Sequence, residues 1–207
     1  MNKIIIKLLL KLHSFCYNWS SFFAIRVEKG VHPKHRLTNY HSFFVDNINI
    51  GDNVLDVGCG KGVLAYDISK KAEKVTAIDI DSKKIKENKK KFAGRNIKYI
   101  SGDATKDLEN KKFDVVILSN VLEHIENRID FLRKMKRLAP KILIRIPLIS
   151  RDWITLYKKE LGLEYRLHRG HYIEYTLESF KGELNQAELE IKSYSIQFGE
   201  IWAVINF

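Results

Sequence analysis

VLDVGCGKG, residues 54–62, is the stretch whose reading decides the fold. It grows out of an apolar run, NVLDV (53–57), with the length and branching of a buried strand. Gly58-Cys-Gly-Lys-Gly62 follows as a turn, because glycine reaches left-handed backbone and lets a ligand come close to the main chain. VLAYDISKKA (63–72) then has a helical pattern. Working outward, the alternation repeats. KVTAID (74–79), NIKYIS (96–101), FDVVILS (113–119) and KILIRI (141–146) read as strands. SKKIKENKKKFA (82–93), with Ser82 as its expected cap, and IDFLRKMKRLA (129–139), ending before Pro140, read as helices. Such alternation predicts an α/β, Rossmann-like doubly wound sheet with its ligand at the carboxyl ends of the strands. The tail departs from it. After a helix over YTLESFKGELNQAEL (175–189), the strands EIKSYSI (190–196) and EIWAVINF (200–207) are joined by Gln197-Phe-Gly199. A link that short joins antiparallel neighbours, so a C-terminal antiparallel hairpin closes the sheet.

The glycine loop narrows the ligand. A dinucleotide fingerprint needs G-x-G-x-x-G or Ala, but the sixth position counted from Gly58 is Val63. A phosphate-binding P-loop needs Gly-Lys-Ser or Gly-Lys-Thr, which is missing at that offset. What remains is D-x-G-x-G-x-G, beginning at Asp56. A carboxylate there repels a pyrophosphate and attracts an ammonium, so the expected ligand is a nucleoside with a cationic tail. Asp79 ends the second strand, at the position that binds ribose hydroxyls in nucleotide-binding sheets, with Asp81 as a competing candidate. Asp103, after the third strand, can accept from an adenine amino group.

These stretches resemble the class I S-adenosylmethionine-dependent methyltransferases: VLDVGCGKG (54–62) their first motif, VTAID (75–79) their second, GDA (102–104) their adenine contact and FDVVILSNVLEHI (113–125) their fourth. The resemblance covers 51–146 tightly and implies a seven-stranded sheet with an antiparallel end and S-adenosyl-L-methionine as cofactor. It places Gly58, Cys59 and Gly60 under the methionyl end, which Asp56 helps to hold, Asp79 at the ribose, Asp103 at the adenine, and Ser119 and Asn120 beside the sulfonium, with Ile80 and Ala104 as further cofactor contacts.

The acceptor is less determined. His124 follows the fourth strand. In ubiquinone-pathway O-methyltransferases a related pattern, acidic residues three apart followed by His, binds a metal; here its first position is Asn120, so no metal is expected. Residues 147–176 are a long acceptor-side insertion carrying Trp153, Tyr157, Tyr165, His168, Arg169, His171, Tyr172 and Tyr175. GHYIEYTLESF (170–180) resembles a segment of small-molecule methyltransferases, some encoded with surface-glycan enzymes. His171, with His124 competing, is the expected base or acceptor contact, since an imidazole titrates near neutrality. Ordering of the loop, with Thr176 capping the next helix, is the other reading of this stretch. SNVL (119–122) lacks the Pro-Pro-aromatic motif for a flipped base, and 151–207 holds 7 basic against 9 acidic residues, which disfavours a nucleic acid. A small-molecule acceptor, such as a sugar, glycan or lipid-linked intermediate, is therefore expected to be O-methylated. An RNA or protein substrate, or a non-catalytic cofactor-binding scaffold, is the alternative.

Composition bounds the rest. The 207 residues carry a formal net charge of +11, much of it lysine in 83–91, a solvated helix face. Cys16 and Cys59 build no disulfide framework, so a reducing, cytoplasmic setting is expected. No apolar run is long enough to span a bilayer. MNKIIIKLLLKL (1–12) places Lys3, Lys7 and Lys11 in a narrow stripe against a wide apolar arc, and aromatics fill 13–25. Two readings stay open for this segment: a lid on its own domain with lysines in water, or a peripheral membrane contact through residues 1–25. His32, His35 and His41, with Arg36 and Tyr40, match no zinc spacing and suit a substrate entrance instead. Residues 1–50 are thus read as an N-terminal helical lid or amphipathic segment, and 51–207 as the methyltransferase domain.

Overall fold

The computed structural model describes residues 1–108 and 111–206; Phe207, assigned above to the last strand, lies outside the described residues. In chain order the elements are α1 (Asn2–Val27), α2 (Lys34–Thr38), α3 (Tyr40–Asp46), β1 (Asn53–Val57), α4 (Val63–Ile68), β2 (Lys74–Asp79), α5 (Ser82–Lys91), β3 (Ile97–Ser101), α6 (Ala104–Asp107), β4 (Val115–Ser119), α7 (Arg128–Leu138), β5 (Lys141–Pro147), α8 (Trp153–Glu160), α9 (Leu177–Gln186), β6 (Glu190–Gln197) and β7 (Glu200–Asn206). The seven strands form one sheet in the order β3-β2-β1-β4-β5-β7-β6. The first five are mutually parallel, and β7 pairs antiparallel with both β5 and β6.

The strand order reverses between β1 and β4, which opens a crevice at their carboxyl ends. Leu55, Val116, Leu118, Ile142 and Ile144 fill one face of the sheet with α7 and α9; Val54, Ile117 and Leu143 fill the other with α3 and α4. Burial on both faces explains why the central strands are unbroken Val, Ile and Leu rather than alternating. α3 belongs to this core, because Tyr40, Phe44 and Ile48 pack on the second face. The hairpin link is two residues, Phe198-Gly199, at φ 51° and 72°. Left-handed backbone at both positions matches the twist of the flanking strands.

Local corrections have local causes. Asp81, not Ser82, caps α5, its carboxylate accepting from the Lys83 and Lys84 amides. α6 and α8 fall in stretches that the sequence reading gave no helix.

The N-terminal helix leaves most of its apolar side chains uncovered. α1 is continuous for 26 residues. Leu10 is buried and Lys7 half-buried, while Ile4, Leu8, Leu9, Phe15, Trp19 and Phe23 stand in solvent. Much of its apolar arc therefore faces out, and Lys3 and Lys11 of the lysine stripe are exposed as well. Lys158 of α8 anchors it, donating to Ser14 Oγ at 2.8 Å.

Candidate active site

The glycine loop is held from behind. Gly58 and Cys59 donate their amides to Ile78 O at the end of β2 (2.8 and 3.2 Å). Asn88 of α5 donates to Gly60 O at 2.8 Å. Gly58, at φ +67°, leaves no room for a side chain, since a Cβ would lie 2.9 Å from Val121 Cγ2. Bare backbone thus lies open at the mouth of the crevice. Cys59 is buried, which pushes its thiol well above the ordinary range; it packs and does not react.

Asp56 is buried and its Oδ2 has no hydrogen-bond partner among the described residues. Burial, with the charge of Asp79 added, pushes its carboxyl up to about 8. Asp79 is half-buried and its carboxylate ties the loop together. Oδ2 accepts from the Gly60 amide at 2.8 Å and Oδ1 from the Asp81 amide at 2.9 Å. Each oxygen keeps a second lone pair for a diol. Ile80, 83% exposed at the end of β2, offers an apolar surface beside it. Asp103 caps α6, with Oδ1 accepting from Thr105 N and Oγ1. Burial works against its charge, but the Thr105 hydrogen bonds outweigh that and hold its carboxyl low. Ala104 is buried beneath it. Asp103 and Asp81 therefore both do the capping work that competed with a ligand role.

β4 ends at Ser119, and Asn120 takes left-handed backbone at φ 57°, fixed by its amide donating to Arg145 O at 2.8 Å. Asn120 Oδ1 is buried with no partner among the described residues. A nucleoside with an ammonium tail fits this ring. Buried oxygens on Asp56 and Asn120 lack donors, a glycine cradle lies between β1 and β4, and a carboxylate with spare lone pairs ends β2.

Arg145 was not singled out by the sequence reading. It is buried in β5, donates to both oxygens of Glu200 at 2.6 and 2.5 Å, and its guanidinium lies 3.7 Å from the Tyr40 ring centre. It also reaches Ser119 Oγ at 3.4 Å. The signal was present: a lone arginine inside KILIRIP (141–147) must find a partner when that strand is central.

On the acceptor side the insertion folds back onto the turn after β4. Tyr172 N donates to Glu123 O at 2.8 Å, and Ile149 N donates to Tyr175 O at 2.8 Å. This brings His171 against His124, ring centres 4.6 Å apart, with His168 5.7 Å from His124. Both expected histidines thus meet. A cavity of about 680 Å³ opens beside them, walled by Leu10, Ser14 and Tyr17 of α1 and by Arg151, Thr155, Tyr165 and His168 of the insertion. Burial and the facing His171 hold His124 below the ordinary imidazole value, hence neutral near pH 7. Glu123 is fully buried and neither carboxylate oxygen has a partner. Burial pushes its carboxyl up to about 8.

The N-terminal histidines are already spent. His35 Nδ1 lies 3.0 Å from His41 Nε2, Tyr40 donates to His35 at 2.9 Å, and His41 Nδ1 lies 2.6 Å from Asp67. His32 pairs with Ser21. Arg36 leaves the expected group altogether, pairing with Glu28 in solvent.

Residues 55–141 match the family described as "Methyltransferase domain". Over 117 residues the chain is 40% identical to a ubiquinone biosynthesis O-methyltransferase of Rickettsia bellii, covering 55% of this chain and 49% of that protein. Over 75 residues it is 40% identical to an uncharacterized methyltransferase of Mycobacterium bovis, covering 36% and 38%. The chain spans less than half the length of these relatives. Among solved structures it is similar in fold to an S-adenosylmethionine-dependent methyltransferase of Clostridium acetobutylicum (TM-score 0.67, 14% identity, 93% and 99% covered). It is likewise similar to a magnesium protoporphyrin IX methyltransferase of Synechocystis with bound SAH (TM-score 0.65, 20% identity, 84% and 82% covered). With its strand order, glycine loop and strand-end acids, the chain is similar to the class I, S-adenosylmethionine-dependent methyltransferases, and residues 55–141 match a methyltransferase domain.

Proposed function

We propose that this protein transfers a methyl group from S-adenosyl-L-methionine to a hydroxyl of a small molecule. The observation that carries the donor half is the pair of buried, partnerless oxygens, Asp56 Oδ2 and Asn120 Oδ1, on the two strand ends that flank Gly58. Asp56 would hold the ammonium, Asp79 the ribose, and Ile80 and Asp103 with Ala104 the adenine. Ser119 and Asn120 would lie beside the sulfonium. When bound, the cofactor supplies an electrophilic methyl group whose carbon–sulfur bond breaks with the electron pair left on sulfur. The chain's residues would align the acceptor oxygen and exclude water, and the new bond is carbon–oxygen.

The acceptor's proton must leave. His124 and His171 are placed to receive it or to orient the hydroxyl, because the Nδ1 of each already faces an acceptor and Nε2 is left over. The relatives' printed name, O-methyltransferase, supports a hydroxyl acceptor. The cavity between α1 and the insertion supports a molecule with both polar and apolar parts, such as a lipid-linked or glycan intermediate. Incubation with donor and candidate hydroxyl acceptors, with mass detection of a product one methyl heavier, tests this. Donor binding with no transfer to any acceptor would leave a scaffold.

The same reading has a membrane arm. No helix among the described residues is long and apolar enough to cross a bilayer. The outward arc of α1 suits lying in the bilayer interface, with Trp19, Phe22 and Phe23 at headgroup depth. Full-length protein should sediment with vesicles, and Leu9→Glu with Phe22→Glu should release it. Equal sedimentation of both would remove the membrane from the account.

A further inference from the structure

We propose that Glu123, His124 and His171 form a binding site for a divalent transition-metal ion at the acceptor side of the crevice. Each residue offers a donor atom, and the three atoms lie within 4.8 Å of one another. Four observations support an ion rather than a chance cluster.

First, the imidazoles are oriented as ligands. His124 Nδ1 lies 3.1 Å from Gly170 O, which can only accept, so Nδ1 carries the hydrogen and Nε2 keeps its lone pair. His171 Nδ1 lies 2.8 Å from Glu174 Oε1, with the same consequence. A carbonyl or carboxylate behind each histidine is the usual outer support of a metal ligand. Second, that support is itself fixed. Glu174 is buried and accepts from Arg151 Nη1 at 2.5 Å and from Leu167 N at 2.7 Å. Third, the carboxylate facing the two imidazoles, Glu123, is fully buried and both oxygens lack any donor among the described residues. Two imidazoles and a carboxyl offer donor atoms within 4.8 Å of one another, and the carboxyl finds no donor among the described residues, an arrangement that suits a cation. Fourth, His124 is exposed, which leaves the site open to solvent, 5.7 Å from the His168 ring that walls the acceptor cavity.

Two nitrogens and one carboxylate suit zinc, cobalt, manganese or iron rather than calcium or magnesium, which favour all-oxygen shells. Donor atoms around a tetrahedral ion with bonds of about 2.0 Å lie roughly 3.3 Å apart, so the cluster contracts on loading. Three protein ligands leave positions for the acceptor. Bound there, an ion would occupy the two Nε2 atoms and replace them as the means of removing the proton: it would lower the pKa of a coordinated hydroxyl, whose proton passes to solvent as the carbon–oxygen bond forms. This role rests on the methyl-transfer reading; the binding of the ion does not.

The test uses the full chain, stripped with chelator, without donor or acceptor. Cobalt(II) and manganese(II) are titrated in turn, followed by the cobalt absorption spectrum and the loss of the free-manganese resonance. The expected result is one ion per chain with a cobalt spectrum of mixed nitrogen and oxygen coordination. Glu123→Gln and His171→Ala should abolish binding, and Glu174→Gln should weaken it roughly 10–100-fold. Glu123→Gln is isosteric and removes an unpartnered buried carboxyl, so it keeps the fold; retained S-adenosylhomocysteine binding confirms that. A wild-type chain that binds neither ion, or a Glu123→Gln chain that binds as wild type, would overturn the site. S-adenosylhomocysteine binding without metal binding would leave the methyl-transfer reading standing.

Discussion

The donor half and the acceptor half of the crevice lie side by side at the same edge of one sheet, yet they are built in opposite ways. The donor half is local. Asp56 and the glycine loop come from nine contiguous residues, and Asp79, Ile80, Asp103 and Ala104 each sit at or just past a strand end. The acceptor half is assembled across the chain. His124 meets Gly170 from 46 positions away, and Lys158 meets Ser14 from 144 positions away. Where chemistry is local, a strand boundary fixes where each side chain goes. Where it is assembled, the insertion must dock before two histidines become a site.

The largest expected effect separates the halves most sharply. His171→Ala should slow methyl transfer by roughly 10²–10⁴-fold, the range for losing an acid–base or equivalent acceptor contact, with S-adenosylhomocysteine affinity unchanged. Equal loss of both would merge the halves. The converse variant, Asp79→Ala, should weaken S-adenosylhomocysteine by about 1.5–3 kcal/mol, the scale of a hydrogen bond to a charged group, and leave metal binding intact. Calorimetry reads both.

A gentler probe is pH. In the free protein Asp56 is protonated below about 8, because burial and Asp79 raise its carboxyl. An ammonium ligand favours the ionised form, so binding below that pH must expel a proton. Affinity for S-adenosylhomocysteine should therefore fall toward tenfold per unit as pH drops below about 8, and level off above it. Titrations in buffers of differing ionisation heat should show close to one proton released at pH 7. No release would mean that the carboxyl is already ionised.

The smallest effect concerns the seam between the halves and the tail. Thr176 Oγ1 accepts from the Ser179 amide at 3.1 Å and the Ser179 hydroxyl accepts from the Thr176 amide at 2.9 Å, closing a capping box on α9. Thr176→Ala should cost about 1 kcal/mol of stability in a denaturant melt and leave donor affinity unchanged. A larger loss would show that the cap also holds the insertion.

The same contrast explains what could be read in advance. Strands β1 to β5 were legible because burial on both faces demands unbroken apolar runs, and the hairpin because its link is short. Within the donor half, Asp56, Gly58 and Asn120 kept their expected positions, while Asp103 turned out to serve as a helix cap too. Glu123 could not be singled out, since nothing local shows that its carboxylate would be left without a donor. The absence of a metal was inferred from Asn120 within one contiguous stretch, whereas His171 joins Glu123 and His124 from the insertion. α1 was legible as an amphipathic helix, but nothing local shows that Leu10 would be the one residue it buries.

Calorimetric titration of the full chain with S-adenosylhomocysteine, repeated with Asp56→Asn, tests the central claim most directly. One molecule should bind per chain, and the substitution should weaken it at least about tenfold, as expected for losing a charge-assisted bond to an ammonium. A wild-type chain that binds none, or a folded Asp56→Asn chain that binds equally well, would contradict the account.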